Sequence, residues 1–288
     1  GMGSNLTFAG SGELDNGWNV ALSVAMDNQD AYSNTNVTVT VPSIGAIQVS
    51  QGVSGTGIDR IDDVTPNVWE EAYAVGVGSG IDTIGGTSAG TTIEYTPSMT
   101  PAGLTARIAY SPDVGGSGAA DKASAVNYSR QNSGYDITVA ASEELHGVAG
   151  LSISAGISQI EQDSTVANYD SDHEEETLAI TYAMGGFTVG YQWSETDTGA
   201  STNEKEYTND GYGITFNVND DLSIGYNHYE SEQVASDATT TAEATSYQAA
   251  YTMGGATIRL ARGTVDNANY DASAKDKEAT MLSVSLAF

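Results

Sequence analysis

Apolar and small polar residues alternate with period two, connections alternate between short and long, and the last strand ends on an aromatic residue. Together these predict an all-β chain folded as a transmembrane antiparallel barrel. The terminal segment shows the alternation most clearly. Leu282, Val284, Leu286 and Phe288 fall on one strand face, and Ser283, Ser285 and Ala287 fall on the other. The same pattern recurs upstream. Trp18, Val20, Leu22, Val24 and Met26 form one apolar face, and Phe187, Val189, Tyr191 and Trp193 another. Tyr212, Ile214, Phe216 and Val218 give a third, and Tyr247, Ala249, Tyr251 and Met253 a fourth. Trp18, Trp193, Tyr182, Tyr226 and Tyr251 sit where membrane-interface girdles are expected.

The connections fall into two alternating classes. Short ones are hairpin turns such as Asp15-Asn16-Gly17, Ser43-Ile44-Gly45, Gly185-Gly186, Asp220-Asp221 and Gly254-Gly255. Long ones are polar and acidic: residues 27–35, 53–90, 112–133, 161–176, 195–210, 232–244 and 264–279. A two-sheet sandwich has no reason to keep that order, whereas a barrel with all its long loops on one side of a membrane does. From Asn5 to Phe288 about fifteen strands can be counted, each of roughly nine residues, the length that crosses a bilayer when tilted. They make one domain over residues 1–288.

Composition narrows the function classes. The 288 residues carry 9 basic and 38 acidic side chains, a net charge of −29, which argues against nucleic-acid partners. The absence of cysteine excludes disulfides, thiolate metal sites and a cysteine nucleophile. Sixteen tyrosines, abundant Gly, Ser and Thr, and scarce lysine mark a β composition, not a disordered acidic chain. No apolar run reaches the ~18 residues a spanning helix needs, a test to which strand-crossing proteins are blind. The first residues, Gly1-Met2-Gly3-Ser4, read neither as a signal peptide nor as a native start.

The closing stretch resembles the last strand of bacterial outer-membrane barrels, and the whole chain resembles a general diffusion porin, sixteen-stranded and of the alphaproteobacterial kind. The terminal Phe288, the alternating loop lengths and the position of the longest loop, 53–90, carry the likeness. The resemblance implies an integral barrel in outer-membrane lipid, a homotrimer, and passive diffusion of small hydrophilic solutes and ions. It also implies that 53–90 is the third extracellular loop, folded inward to narrow the pore. Single-chain bacterial barrels have even strand counts, so the odd count predicts that one strand is missing, at the front. The arginine ladder common in the family is not evident, because the inward positions near the front are Asn5, Thr7, Ala9, Thr38 and Thr40.

The candidate constriction has two sides. Loop 53–90 holds Asp59, Asp62, Asp63, Glu70, Glu71 and Asp82, with Arg60 its only base. Val68, Trp69, Tyr73, Val75 and Val77 give it an apolar content that predicts packing against a wall. A solvated lid with an acidic face is the blander alternative. On the wall, strand parity points Arg107 and Arg259 inward and Arg262 outward, with Glu94 and Asp136 as inward acids the arginines could neutralise. The balance of acids over bases predicts a preference for cations.

Other motifs read as empty. Gly86-Thr87-Ser88-Ala89-Gly90 fits G-x-S-x-G but lacks the strand before and helix after that a nucleophile elbow requires. Asp170, Asp172 and Glu174 offer oxygen ligands for a weakly held calcium or other divalent cation, without the glycine and spacing of a calcium loop. His146, His173 and His228 lack zinc spacing. No cofactor and no enzymatic activity are expected. The rival readings are a secreted acidic β-rich adhesin or structural protein, and a smaller outer-membrane barrel with another role.

Overall fold

The computed structural model describes residues 5–27, 34–114, 131–162, 169–200, 205–235 and 238–286. Phe288, on which the sequence reading leaned, lies outside the described residues. Fifteen antiparallel strands form one sheet in sequence order, each bonded to its chain neighbours. They are β1 (Asn5–Glu13), β2 (Asn19–Asp27), β3 (Asn34–Val41), β4 (Gly45–Gln51), β5 (Thr91–Pro97), β6 (Leu104–Ser111), β7 (Gln131–Ala141) and β8 (Leu151–Gln162). The series continues with β9 (His173–Met184), β10 (Phe187–Asp197), β11 (Lys205–Asn217), β12 (Leu222–Ala235), β13 (Ala238–Met253), β14 (Ala256–Asp266) and β15 (Lys277–Leu286). Among the described residues β1 pairs only with β2, and β15 only with β14.

The expected alternation holds on the faces. Phe187, Val189 and Tyr191 are exposed on the outside of β10, while Gln192 and Ser194 are buried on the inside. At the chain's end Leu282, Val284 and Leu286 face outward, with Leu282 68% exposed. No second layer covers these apolar side chains, so hydrocarbon is the solvent that suits them. The packed core lies inside the sheet instead. Ala72 and Ala268 from two loops pack with Tyr229, Ala244 and Val265 from β12, β13 and β14, and Tyr73, Val77 and Ile81 join them.

Strand length departs from the uniform nine residues expected. Strands β1 to β6 span 7 to 9 residues, whereas β7 to β15 span 10 to 16, so the wall is low on one side and tall on the other. The segments read as loops 161–176, 195–210 and 232–244 are largely strand. Their outward residues include many carboxylates, and the register sets Glu176 against Glu195 and Glu230 against Glu243. Like charges directly opposite repel, and only a high-dielectric surrounding tolerates them. The extra length therefore stands above the hydrocarbon, where a ladder of Thr and Glu keeps backbone bonds without an apolar face.

An arginine at mid-band on the outside should cost about 2–4 kcal/mol. Ile180→Arg, between Ile153 and Tyr191 in register, is expected to lower stability by that amount in denaturant titrations of the protein in lipid vesicles. The inward Thr38→Lys should leave stability within about 1 kcal/mol. Equal losses for both would contradict the assignment of faces.

Candidate functional site

Residues 53–90, between β4 and β5, run along the inner wall and return, with short 3-10 turns at Gly57–Ile61, Ala72–Ala74 and Gly86–Ala89. The outgoing limb crosses β7 to β15 over a track of inward glycines. A Cβ on Gly156 would come within 2.9 Å of Ile58, one on Gly190 within 2.5 Å of Pro66, one on Gly225 within 2.8 Å of Val68, and one on Gly263 within 2.9 Å of Val75. Gly213 lies directly against the Pro66 backbone. A glycine in a strand interior marks a close approach of another chain segment, and here that segment is the loop.

Side-chain amides clip the loop to this track. Gln192 donates to the Ile61 carbonyl at 2.6 Å and accepts from the Val64 amide at 3.3 Å. Gln248 Oε1 accepts from the amides of Val68, Trp69 and Glu70 at 3.2, 2.7 and 3.2 Å, and its Nε2 donates to the Glu70 carbonyl. Asn227 donates to the same carbonyl at 3.2 Å.

Three wall carboxylates hold both ends of the loop. Glu94 accepts from the Gly57 amide at 2.8 Å, and Asp136 accepts from the amides of Ile58 and Thr87 at 3.0 and 3.1 Å and from the Thr87 hydroxyl at 2.9 Å. Glu175 accepts from the Gly86 amide at 2.8 Å, with His173 Nε2 3.0 Å away. The G-x-S-x-G segment is thus the loop's returning root, leading directly into β5.

The expected constriction residues separate into groups. Arg60 pairs with the buried Glu94 at 2.6 Å, and Arg107 reaches inward to 3.9 Å from the same oxygen. Glu94 is therefore a wall anchor shared by two guanidiniums, not a free acid of the pore. Asp59, Asp62, Asp63 and Glu71 share one stretch of the loop and feel each other's charge. Burial, followed by the Asp63 carboxylate, pushes Glu71 up to about 7. Burial, reinforced by Asp63 and Asp59, holds Asp62 well above the ordinary carboxylate range, and burial first of all also raises Asp59 and Asp82. Tyr73 donates to Asp63 at 2.6 Å. Asp82 lies on the return limb, beside His173, Lys205 and Tyr207.

Arg259 is inward, as expected, but makes no ion pair with any described residue. Arg262 faces outward and pairs with Glu278 at 2.8 Å. Asp170, Asp172 and Glu174 do not gather: Asp172 accepts from Gln159, and no group of three or more metal-binding side chains occurs among the described residues. Sequence reasoning missed the clips Gln192 and Gln248 and the anchor Glu175. Their signal was available, since glycines and amides occupy inward positions at one level on successive strands.

A wall one residue thick, apolar outside and polar inside, with a loop laid into its lumen, defines a transmembrane β-barrel channel. The apolar outside also sets aside the reading as a secreted acidic adhesin. The sequence matches the family model of Gram-negative porins over residues 1–252, and the chain belongs to that family, in the bacterial outer membrane. Solved structures agree in fold. OmpF of Salmonella typhi, in complex with daunomycin, superposes with TM-score 0.69 at 13% identity, covering 98% of this chain and 89% of that one. A loop L8 deletion mutant of OmpT, an outer membrane protein of Vibrio cholerae, gives 0.66 at 13%, covering 92% and 86%. A mutant Rh. blastica porin gives 0.58 at 15%, covering 98% and 89%. Among curated proteins none matches this chain.

The glycine track supplies a direct test of the loop's seat. Gly213→Val should push the loop off the wall into the lumen and lower single-channel conductance, with the barrel still folded. A conductance equal to wild type would mean that the loop does not lie there.

Proposed function

We propose that this porin passes small hydrophilic solutes and ions passively and prefers cations. The observation that carries the reading is the split of charges at the loop. Arg60 and Arg107 are both drawn to Glu94, whereas among the described residues Asp59, Asp62, Asp63, Glu70, Glu71 and Asp82 have no arginine or lysine ion-pair partner. Across the lumen, inward positions of β1 to β4 include Thr7, Ala9, Ser23, Thr38, Thr40, Gln48 and Ser50, and residues 1–51 hold no lysine or arginine that could offset this charge. Fixed charges act over about a Debye length, ~8 Å at physiological ionic strength, so those on the narrow stretch outweigh distant rims.

Assembly as a homotrimer within outer-membrane lipid belongs to the same reading. OmpT of Vibrio cholerae has been solved in a trimer form, similar to this chain with TM-score 0.66 at 12% identity, covering 98% of this chain and 88% of that one. The low wall of β1 to β6, with Leu22, Ile47, Val49 and Ile93 exposed, is the side on which neighbours would meet. Weak binding of calcium or another divalent cation at the outer loops is no part of the mechanism.

Titration gives the preference a pH dependence. A carboxyl raised to about 7, as Glu71 is, is mostly neutral at pH 6 and mostly charged at pH 8. Cation preference, read as a reversal potential across a salt gradient in planar bilayers, should therefore rise between about pH 6 and about pH 8. Joint Glu70→Gln and Glu71→Gln substitution should flatten that rise and reduce the preference, and Arg107→Ala should increase it. Anion preference in the intact channel would overturn the proposal.

A further inference from the structure

The loop joining β14 to β15, residues 267–276, also enters the lumen. It was expected to be one more polar outer loop. Ala268 is 1% exposed and belongs to the internal core beside Ala72 and Val265. The Asn269 amide donates to the Ser79 carbonyl at 2.7 Å, and the Asn269 side chain lies against Gly80. The Tyr270 hydroxyl accepts from the Asp82 amide at 2.9 Å and meets Ser231 Oγ at 2.7 Å, while its ring tilts onto Tyr207 with centroids 5.4 Å apart. Asn267 donates to the Thr241 carbonyl at 2.8 Å, and Lys277 Nζ donates to the Gly78 carbonyl at 2.8 Å.

The contacts to Gly78, Ser79, Gly80 and Asp82 fall on one segment, the return limb 78–82 of the third loop, while those to Tyr207, Ser231 and Thr241 seat the β14–β15 loop on the wall. Wall side chains clip the outgoing limb, whereas the return limb is held mainly by the second loop, with Asn209 on β11 adding a bond to the Asp82 carbonyl at 3.1 Å. The backbone of the second loop is shaped for that task. Asn267, Asn269 and Tyr270 have φ of 50°, 59° and 55°. Asparagine tolerates that region, but for a bulky residue such as tyrosine it is an outlier that surrounding contacts must hold in place.

We propose that the β14–β15 loop is a second determinant of the pore, with Tyr270 the positioning residue that fixes the Asp82 segment of the third loop and so the charge and width of the pore beneath the outer mouth. The proposal rests on the reading of the protein as a channel. Tyr270 acts through the Asp82 backbone, and the Asp82 carboxylate, beside Tyr207, His173 and Lys205, moves with it. Releasing Tyr270 then changes conduction without touching the wall.

The test uses the full chain in planar bilayers, with heat-modifiable migration on gels as the check that each variant folds. Tyr270→Phe keeps the ring on Tyr207 and removes both hydroxyl contacts. It should raise the time spent in altered-conductance sublevels at least about five-fold, the factor set by loss of the one ordinary hydrogen bond to the Asp82 segment. The chain has no cysteine, so the double substitution Ser79→Cys with Asn269→Cys gives an unambiguous bridge. Oxidised, that variant should keep the wild-type conductance with fewer sublevels, and reduction should reverse the effect. The proposal is overturned if wild type conducts while Tyr270→Phe matches it in conductance, sublevels and reversal potential, or if the cysteine pair does not bridge. A wild-type chain that forms no pores removes the channel reading itself, and this proposal with it.

Discussion

Each strand residue of a one-layer wall faces either hydrocarbon or lumen, and its neighbour faces the other. Every other feature of this protein follows from that constraint. The outside must be apolar at each second position, so the inside is the only place left where backbone and polar side chains can be brought together away from lipid. The packed core, absent between layers because there is no second layer, forms between the wall and the loops lying on it. Ala244 and Val265 are buried by loop residues Ala72 and Ala268, and no element outside the barrel contributes.

A loop laid on a wall brings its own cost, because its amides and carbonyls leave water. Unpaired, each would cost about 1–3 kcal/mol. The wall answers with acceptors aimed at the backbone: Gln248 for three successive amides, Asp136 for two, and Glu175 for Gly85 and Gly86. The carboxylates in this set serve as acceptors first and as pore charges second. That explains why Glu94, which does pair with Arg60 and Arg107, and Asp136, which pairs with no arginine among the described residues, both also anchor the loop. Arg60 then follows Glu94 as part of the anchor, and among the described residues the remaining loop acids have no guanidinium ion-pair partner.

Strand existence, order and facing were legible in the sequence because lipid imposes the period-two pattern wherever it touches the chain. Strand length was not. Above the apolar band, at Glu230 to Ala235 or Thr239 to Glu243, the ladder continues with polar residues on its outer face, and the only sequence signal that distinguishes strand from loop fades. The inward course of 53–90 was legible from its length and from Trp69 and Tyr73. Its route was not, because Gly190, Gly213, Gly225 and Gly263 pass for small polar-face residues unless their recurrence at one level is noticed. The second inward loop left still less trace, since it depends on a tyrosine in a backbone region tyrosine seldom occupies.

The asymmetry of the wall ties these points together. Tall strands β8 to β14 carry the glycine track, both clips and most partners of both loops, whereas low strands β1 to β4 carry no lysine or arginine. Both inward loops therefore lie against the tall side, and the open part of the lumen is displaced toward the neutral side. In the proposed reading a solute in the narrow stretch meets carboxylates on one flank and mostly hydroxyls and amides on the other, with no lysine or arginine in residues 1–51 to face the acids. On that reading the field across the pore arises mainly from the acidic flank. Its strength therefore depends on how many of the crowded carboxyls are ionised. In the proposed reading acids crowded on one flank make the pore acidic, while their burial first and their mutual repulsion second limit how many are charged at neutral pH.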